Sequence, residues 1–255
     1  MSEQILGIPP EVFAIAAIIA FFAGFVKGVV GFAMPMIMMS GLSMVLPAPV
    51  ALAALIGATL VTNLSQALRQ GAGQAWGAVR RYRRLIGTII VMIFLSAPLV
   101  TWLPQRALYL LLGVPLLFYG LSQLTGRQLV LQPGHRVRAE YMMGVVSGFF
   151  GGISGVWGPP VIAYLLSYGT EKTEMVRVQG VVFLVGCVAL IVSHLGTGVL
   201  NAQTLPLSGA LIVPAVAGML AGFAVQDRLD AALFRKVTLV VLSLAAINLI
   251  RRGLM

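Results

Sequence analysis

The chain has 255 residues, 59% of them hydrophobic and 9% charged, with a net charge of +10 and a mean hydropathy of +0.99. A soluble domain of this size does not need so much apolar surface, so the bilayer is the expected solvent and the whole chain, 1–255, reads as a single membrane domain. The longest polar stretches, 69–84 and 125–140, are too short to fold apart, and the Lys and Arg residues gather in short loops, which points to membrane topology and not to nucleic acid.

The N-terminus, MSEQILGIPPEVF, carries Glu3 and Glu11 and no basic residue, so no cleaved signal is expected there. Apolar segments follow at 12–26, 33–46, 48–68, 85–102, 107–124, 141–150, 156–168, 178–195, 207–225 and 237–250. Several approach the ~20 residues that cross a bilayer as a helix. Four are short (12–26, 33–46, 141–150 and 156–168), and these flank two related motifs. Gly24, Phe25, Gly28, Gly31 and Pro35 fall on Gly148, Phe149, Gly152, Gly155 and Pro159 at an offset of 124. The sequence therefore predicts an all-α polytopic membrane protein made of two repeats, about 1–126 and 127–255. Each repeat opens with a Gly/Pro-broken helix or a re-entrant hairpin. The short arms favour a hairpin that dips partway, or strongly tilted arms, because ten helical residues rise only ~15 Å.

Basic residues choose the orientation of the repeats. With each motif read as two arms, the halves are inverted, and with the N-terminus outside 13 Lys and Arg lie on the inner side against 3 on the outer. Read as single crossings, the halves are parallel and the best count is 10 against 6. The positive-inside rule prefers inversion. The uncharged loop 196–206 then falls outside.

Glycines permit a turn at membrane depth, and Pro35 and Pro159 suit the first turn of a returning helix. The new helix start carries free N–H groups and the positive end of a dipole, which is an anion site in form. Inverted repeats place such breaks near the midplane, where transporters bind substrate. Lys27, inside the first motif, is a costly charge in a span and a candidate ligand for an anion. All seven acidic residues lie in loops or at span edges, so no cation pathway is expected. Asn63 and Gln66 after the first motif, and Gln179 and His194 after the second, either line a cavity or tie helices together. Trp157 either walls the site or packs. The candidate substrate-binding set is Lys27, Gly28, Gly31, Pro35, Asn63, Gln66, Gly152, Ser154, Gly155, Trp157, Pro159, Gln179 and His194. A lone cysteine, Cys187, and two distant histidines, His135 and His194, leave no metal-ligand spacing, and no cofactor is expected.

The motifs GFVKGVVGFAMP and GFFGGISGVWGPP, each opening a half, resemble those of the sulfite exporter TauE/SafE family of small two-repeat bacterial permeases. The resemblance covers essentially the whole chain. It implies a multi-pass protein of the bacterial inner (cytoplasmic) membrane that moves sulfur-containing anions such as sulfite, thiosulfate or organosulfonates. The expected partners are a small anionic substrate and the lipid bilayer, with no nucleic acid; a homodimer is left open. Two other readings remain. GISG (152–155) matches the surroundings of a rhomboid-type intramembrane serine nucleophile, with Ser154 and His194 as the pair. A passive anion channel is the other.

Overall fold

The computed structural model describes residues 8–96, 105–126, 133–154, 157–194 and 201–254. Regular structure among the described residues is helical, without strands. The first half runs α1 (Pro10–Val30), α2 (Met34–Leu42), α3 (Ala48–Leu68), α4 (Ala72–Arg81), α5 (Arg83–Ser96) and α6 (Gln105–Leu124). The second runs α7 (Arg136–Ser154), α8 (Gly158–Ser167), α9 (Lys172–His194), α10 (Leu205–Ala210), α11 (Ile212–Arg228) and α12 (Ala231–Leu254). The order of long, short, long, interrupted and long helices recurs. The starts of α2 and α8, and of α3 and α9, differ by the same offset of 124 as the motifs. Among the described residues, four helical stretches are long and apolar enough to cross a membrane: Pro10–Val30, Val50–Leu68, Leu205–Arg228 and Ala231–Leu254. The protein is a multi-pass membrane protein.

The first arms are longer than the sequence suggested. In place of a short arm at 12–26, α1 has 21 residues, about 31 Å. In place of 141–150, α7 has 19, about 28 Å. Lys27 does not end α1 because its charge is solvated by side chains, as described below. The break comes later, at Gly31 (φ 89°), and Ala33 also takes a left-handed conformation (φ 74°). The second arms stay short, with 9 residues in α2 and 10 in α8. Pro115 lies inside α6, and Pro214 lies in the first turn of α11, three residues after the break at Leu211 that separates it from α10. Pro98 lies outside the described residues.

The chain forms two compact units that are not its sequence halves: 1–65 with 191–229, and 66–190 with 230–255. In the first unit, α1 lies along α11. Gly24 and Gly28 on α1 meet the backbone of Ala215, Met219 and Gly222 on α11, and Gly218 meets that of Phe21 and Phe25, small residues at four-residue spacing that let helix backbones touch. A Cβ on Gly28 would stand 2.8 Å from the Cα of Gly222, and one on Gly218 would stand 2.8 Å from the Phe21 carbonyl carbon. Another face of α1 buries Ala16, Ala20 and Ala23 against Met34, Met38 and Leu42 of α2 and Ala51, Ala54 and Ala58 of α3. Small residues bring these helices close, and the flexible methionines fill the remaining gaps.

The second unit repeats the arrangement with exchanged parts: α7 lies along α5. Gly144 meets Leu85 and Thr88, and Gly148 meets Ile89 and Met92, so the two helices run parallel. The last helices of the halves, α6 and α12, also pair. Arg106 and Leu110 meet Gly253, while Gly120 meets Leu239 and Ser243, so this pair runs antiparallel.

Candidate functional site

In the first unit, the break between α1 and α2 builds a polar cluster. The end of α1 is held by Gln226 of α11, whose Nε2 donates to the Val29 carbonyl at 3.0 Å. This satisfies an acceptor that the helix end leaves open. One turn before the break, Lys27 is 1% exposed. Its Nζ donates to Thr62 Oγ1 at 2.9 Å and to Asn63 Oδ1, both on α3. Thr62 in turn donates to the Ala58 carbonyl at 2.7 Å and approaches Sδ of Met34, the first residue of α2, at 3.4 Å. The ammonium, the middle of α3 and the start of α2 are thus at one place.

The donor balance of this place is positive. Asn63 gives its oxygen to Lys27, and its amide nitrogen has no hydrogen-bond partner although it is buried. The buried Thr59 hydroxyl, one turn away on the same face of α3, has none either. A buried donor left unbonded costs about 1–3 kcal/mol. No side chain caps the start of α2, and since Pro35 lacks an N–H, the donors there belong to Met34 and Met36. Near the Lys27 ammonium the chain thus places a buried amide N–H without a hydrogen-bond partner and the N–H groups that open α2 without a side-chain cap, donors that a small anion satisfies.

The second break is built differently. Trp157 precedes α8 and is 7% exposed. Its ring lies in a cradle of two glycines. A Cβ on Gly151 would stand 3.1 Å from Trp157 Cβ, and one on Gly186 would stand 2.9 Å from Trp157 Cε2. At the motif offset, Gly151 and Gly186 are the counterparts of Lys27 and Thr62. Where the first half bridges α1 and α3 with a charge and a hydroxyl, the second fills the same register with an indole. Pro159 and Pro160 follow Gly158 at the start of α8, so two of its first three positions carry no N–H. This helix start offers an anion one backbone donor where α2 offers two. The other end of α8 is tied down: Tyr119 and Arg235 donate to the carbonyls of Ala163 and Leu166, each at 3.1 Å.

The remaining sequence candidates divide as follows. Gly31 is the turn residue, and Pro35 starts α2. Gly28 faces the α11 backbone and serves helix packing. Asn63 joins Lys27. Gln66 belongs to the second unit, where its Nε2 donates to the Val176 carbonyl of α9 at 2.8 Å. Gln179 is fully buried in α9. Gly152 lies near the end of α7 and Pro159 near the start of α8. Ser154 and His194 are the last residues of α7 and α9. Their side chains, and all of Gly155, lie outside what the structure describes. Thr59 and Thr62 escaped the sequence reading because threonine is common in apolar helices; their spacing from Asn63 was the available signal.

The second unit also holds a cavity of about 470 Å³ lined by Arg81, Tyr82, Arg136, Tyr164, Tyr168 and Glu174, among others. Glu174 accepts from Tyr82 at 3.0 Å and pairs with Arg81 at 3.0 Å. Glu140, only 2% exposed, accepts from Arg136 at 3.2 Å and from Tyr164 at 3.3 Å. Burial first, and Glu174 second, push the Tyr82 phenol above its ordinary pKa. The charges here compensate one another within the protein.

Among the described residues, no group of three or more His, Cys, Asp or Glu side chains could hold a metal ion. The family described as sulfite exporter TauE/SafE matches residues 16–249, nearly the full length. No curated protein and no solved structure matches the chain.

Proposed function

Since the chain belongs to the sulfite exporter TauE/SafE family, we propose that it is a secondary transporter for a small sulfur-containing anion, such as sulfite or an organosulfonate, and that the anion binds at Lys27. The family supplies the permease class; the site comes from the residues. The observation that carries it is the buried Lys27 ammonium beside the unpartnered Asn63 amide and the start of α2. An oxyanion carries several acceptor oxygens and no obligatory donor, which is the complement of that set. The membrane is the bacterial inner membrane. We take the two halves to be inverted, a reading supported by the antiparallel course of their last helices, α6 and α12.

The test is anion affinity measured by calorimetry on purified protein, with sulfite, thiosulfate, a simple sulfonate and a carboxylate. Lys27→Met keeps the apolar stem and removes the charge. A charge-assisted hydrogen bond contributes roughly 1.5–3 kcal/mol, so affinity falls about ten- to hundredfold. Lys27→Arg retains part of it, and Lys27→Glu is worse than Met. Binding by the Met variant as tight as the parent's refutes the assignment. Counterflow in liposomes separates a carrier, which shows trans-stimulation, from a channel.

A further inference from the structure

One end of the second unit gathers helix starts and arginines. The contacts of α5 with α7 advance together along both helices, from Arg84 and Glu140 through Leu85 and Gly144 to Ile89 and Gly148, so both helices begin at this end. The helix α9 begins there too, since Glu174 in its first turn holds Arg81 and Tyr82. Three helix starts contribute the positive ends of their dipoles. The chain adds Arg80, Arg81, Arg83 and Arg84 around the α4–α5 turn and Arg136 and Arg138 on α7. Arg81 is paired with Glu174, while Arg136 and, at 3.9 Å, Arg84 lie by Glu140. Arg80, Arg83 and Arg138 are exposed and make no ion pair among the described residues.

Beside them, α4 is amphipathic and short. It turns Ala75 and Ala78 inward and Trp76 outward, 56% exposed, with the Arg80 guanidinium 5.5 Å from the indole centroid. Ten residues rise only ~15 Å and cannot cross a bilayer. A helix with an inward alanine face, an outward tryptophan and an arginine stacked on it suits the membrane–water boundary, where the indole meets the headgroups and basic residues meet lipid phosphates.

We propose that the arginine-bearing end of these helices, with Trp76 on the outer face of α4, binds anionic phospholipid through its headgroup. The unpaired guanidiniums take the phosphate oxygens, and Trp76 anchors α4 at the level of the glycerol. None of the residues around Lys27 takes part, and the binding does not depend on which anion is transported.

Native mass spectrometry of the purified protein, titrated with phosphatidylglycerol or phosphatidylcholine, tests this. The parent retains phosphatidylglycerol at least tenfold more tightly than phosphatidylcholine, and salt weakens the preference. The triple variant Arg80→Gln/Arg83→Gln/Arg138→Gln loses about a hundredfold in phosphatidylglycerol affinity, from roughly fivefold per arginine near the surface, with phosphatidylcholine binding unchanged. All three side chains are exposed, and an unchanged melting curve in detergent verifies the variant's fold. Trp76→Ala, with the charges intact, weakens phosphatidylglycerol binding severalfold. Equal retention of the two lipids by the parent, or parent-like phosphatidylglycerol binding by the triple variant, overturns the proposal. So does competition by soluble glycerol phosphate as effective as the lipid itself, since the surface would then read a free anion.

Discussion

At Lys27, the cost of burying a charge is offset by two side-chain oxygens on α3. That arrangement holds the ammonium at the end of α1, beside the start of α2. The lysine and Asn63 could be picked out of the sequence because charged and amide side chains are rare in spans. Thr59 and Thr62 could not, because a hydroxyl in a helix usually bonds back to its own backbone. Two outcomes follow at this scale. Lys27→Met costs the ligand-free protein only about 1–3 kcal/mol, since it leaves the Asn63 oxygen without its donor, while anion affinity falls. A lower melting temperature with affinity intact marks Lys27 as a strut. Asn63→Asp hands Lys27 an internal counter-ion, so affinity drops roughly ten- to hundredfold; calorimetry showing parent-like binding contradicts an anion at this place.

Among the elements, the sequence was most legible where apolar runs are uninterrupted, as at α3, predicted and found over 48–68. It was least legible at α1, where two glycines and a lysine look like a break but are carried inside a continuous helix. Gly24 and Gly28 are contact points for α11, and the partners that give them this role, Ala215 and Gly222, lie 191 and 194 residues further along the chain. Gly28→Leu therefore destabilises by about 1–3 kcal/mol or more through overpacking. Gly87→Leu, at a position with nothing within 4 Å of an added Cβ, has little effect. Thermal melts of both variants in detergent check this, and equal losses contradict the packing role. Tyr82, between α4 and α5, gives a pH signature. Its phenol pKa is raised in the folded state above the ordinary 10.0, so the folded protein binds the proton more tightly than the unfolded one. The stability from this group is full below about pH 10 and lost as pH rises past the folded value. Tyr82→Phe removes that alkaline slope, which melts between neutral and strongly alkaline pH can register.

For the molecule as a whole, class and approximate repeat period could be read from hydropathy and motif spacing. The composition of the compact units could not. Sequence order pairs α1 with its neighbours, whereas α1 packs on α11, and α7 on α5, through contacts that only three-dimensional pairing reveals. The proposed inversion predicts that 69–84 and 125–140 are cytoplasmic and that both termini and 196–206 are outside. Single cysteines introduced on a Cys187→Ser background, labelled by a membrane-impermeant reagent on intact and opened cells, check it. A C-terminus protected in intact cells and reactive only after opening is incompatible with inversion.

The indole seated between Gly151 and Gly186 has a quantitative consequence. A chain with two similar halves invites the expectation of two equivalent ligands, yet the register that holds an ammonium in one half is occupied by ring carbon in the other. Duplication here ended in division of labour, and a calorimetric titration of the purified chain saturates at one anion per polypeptide.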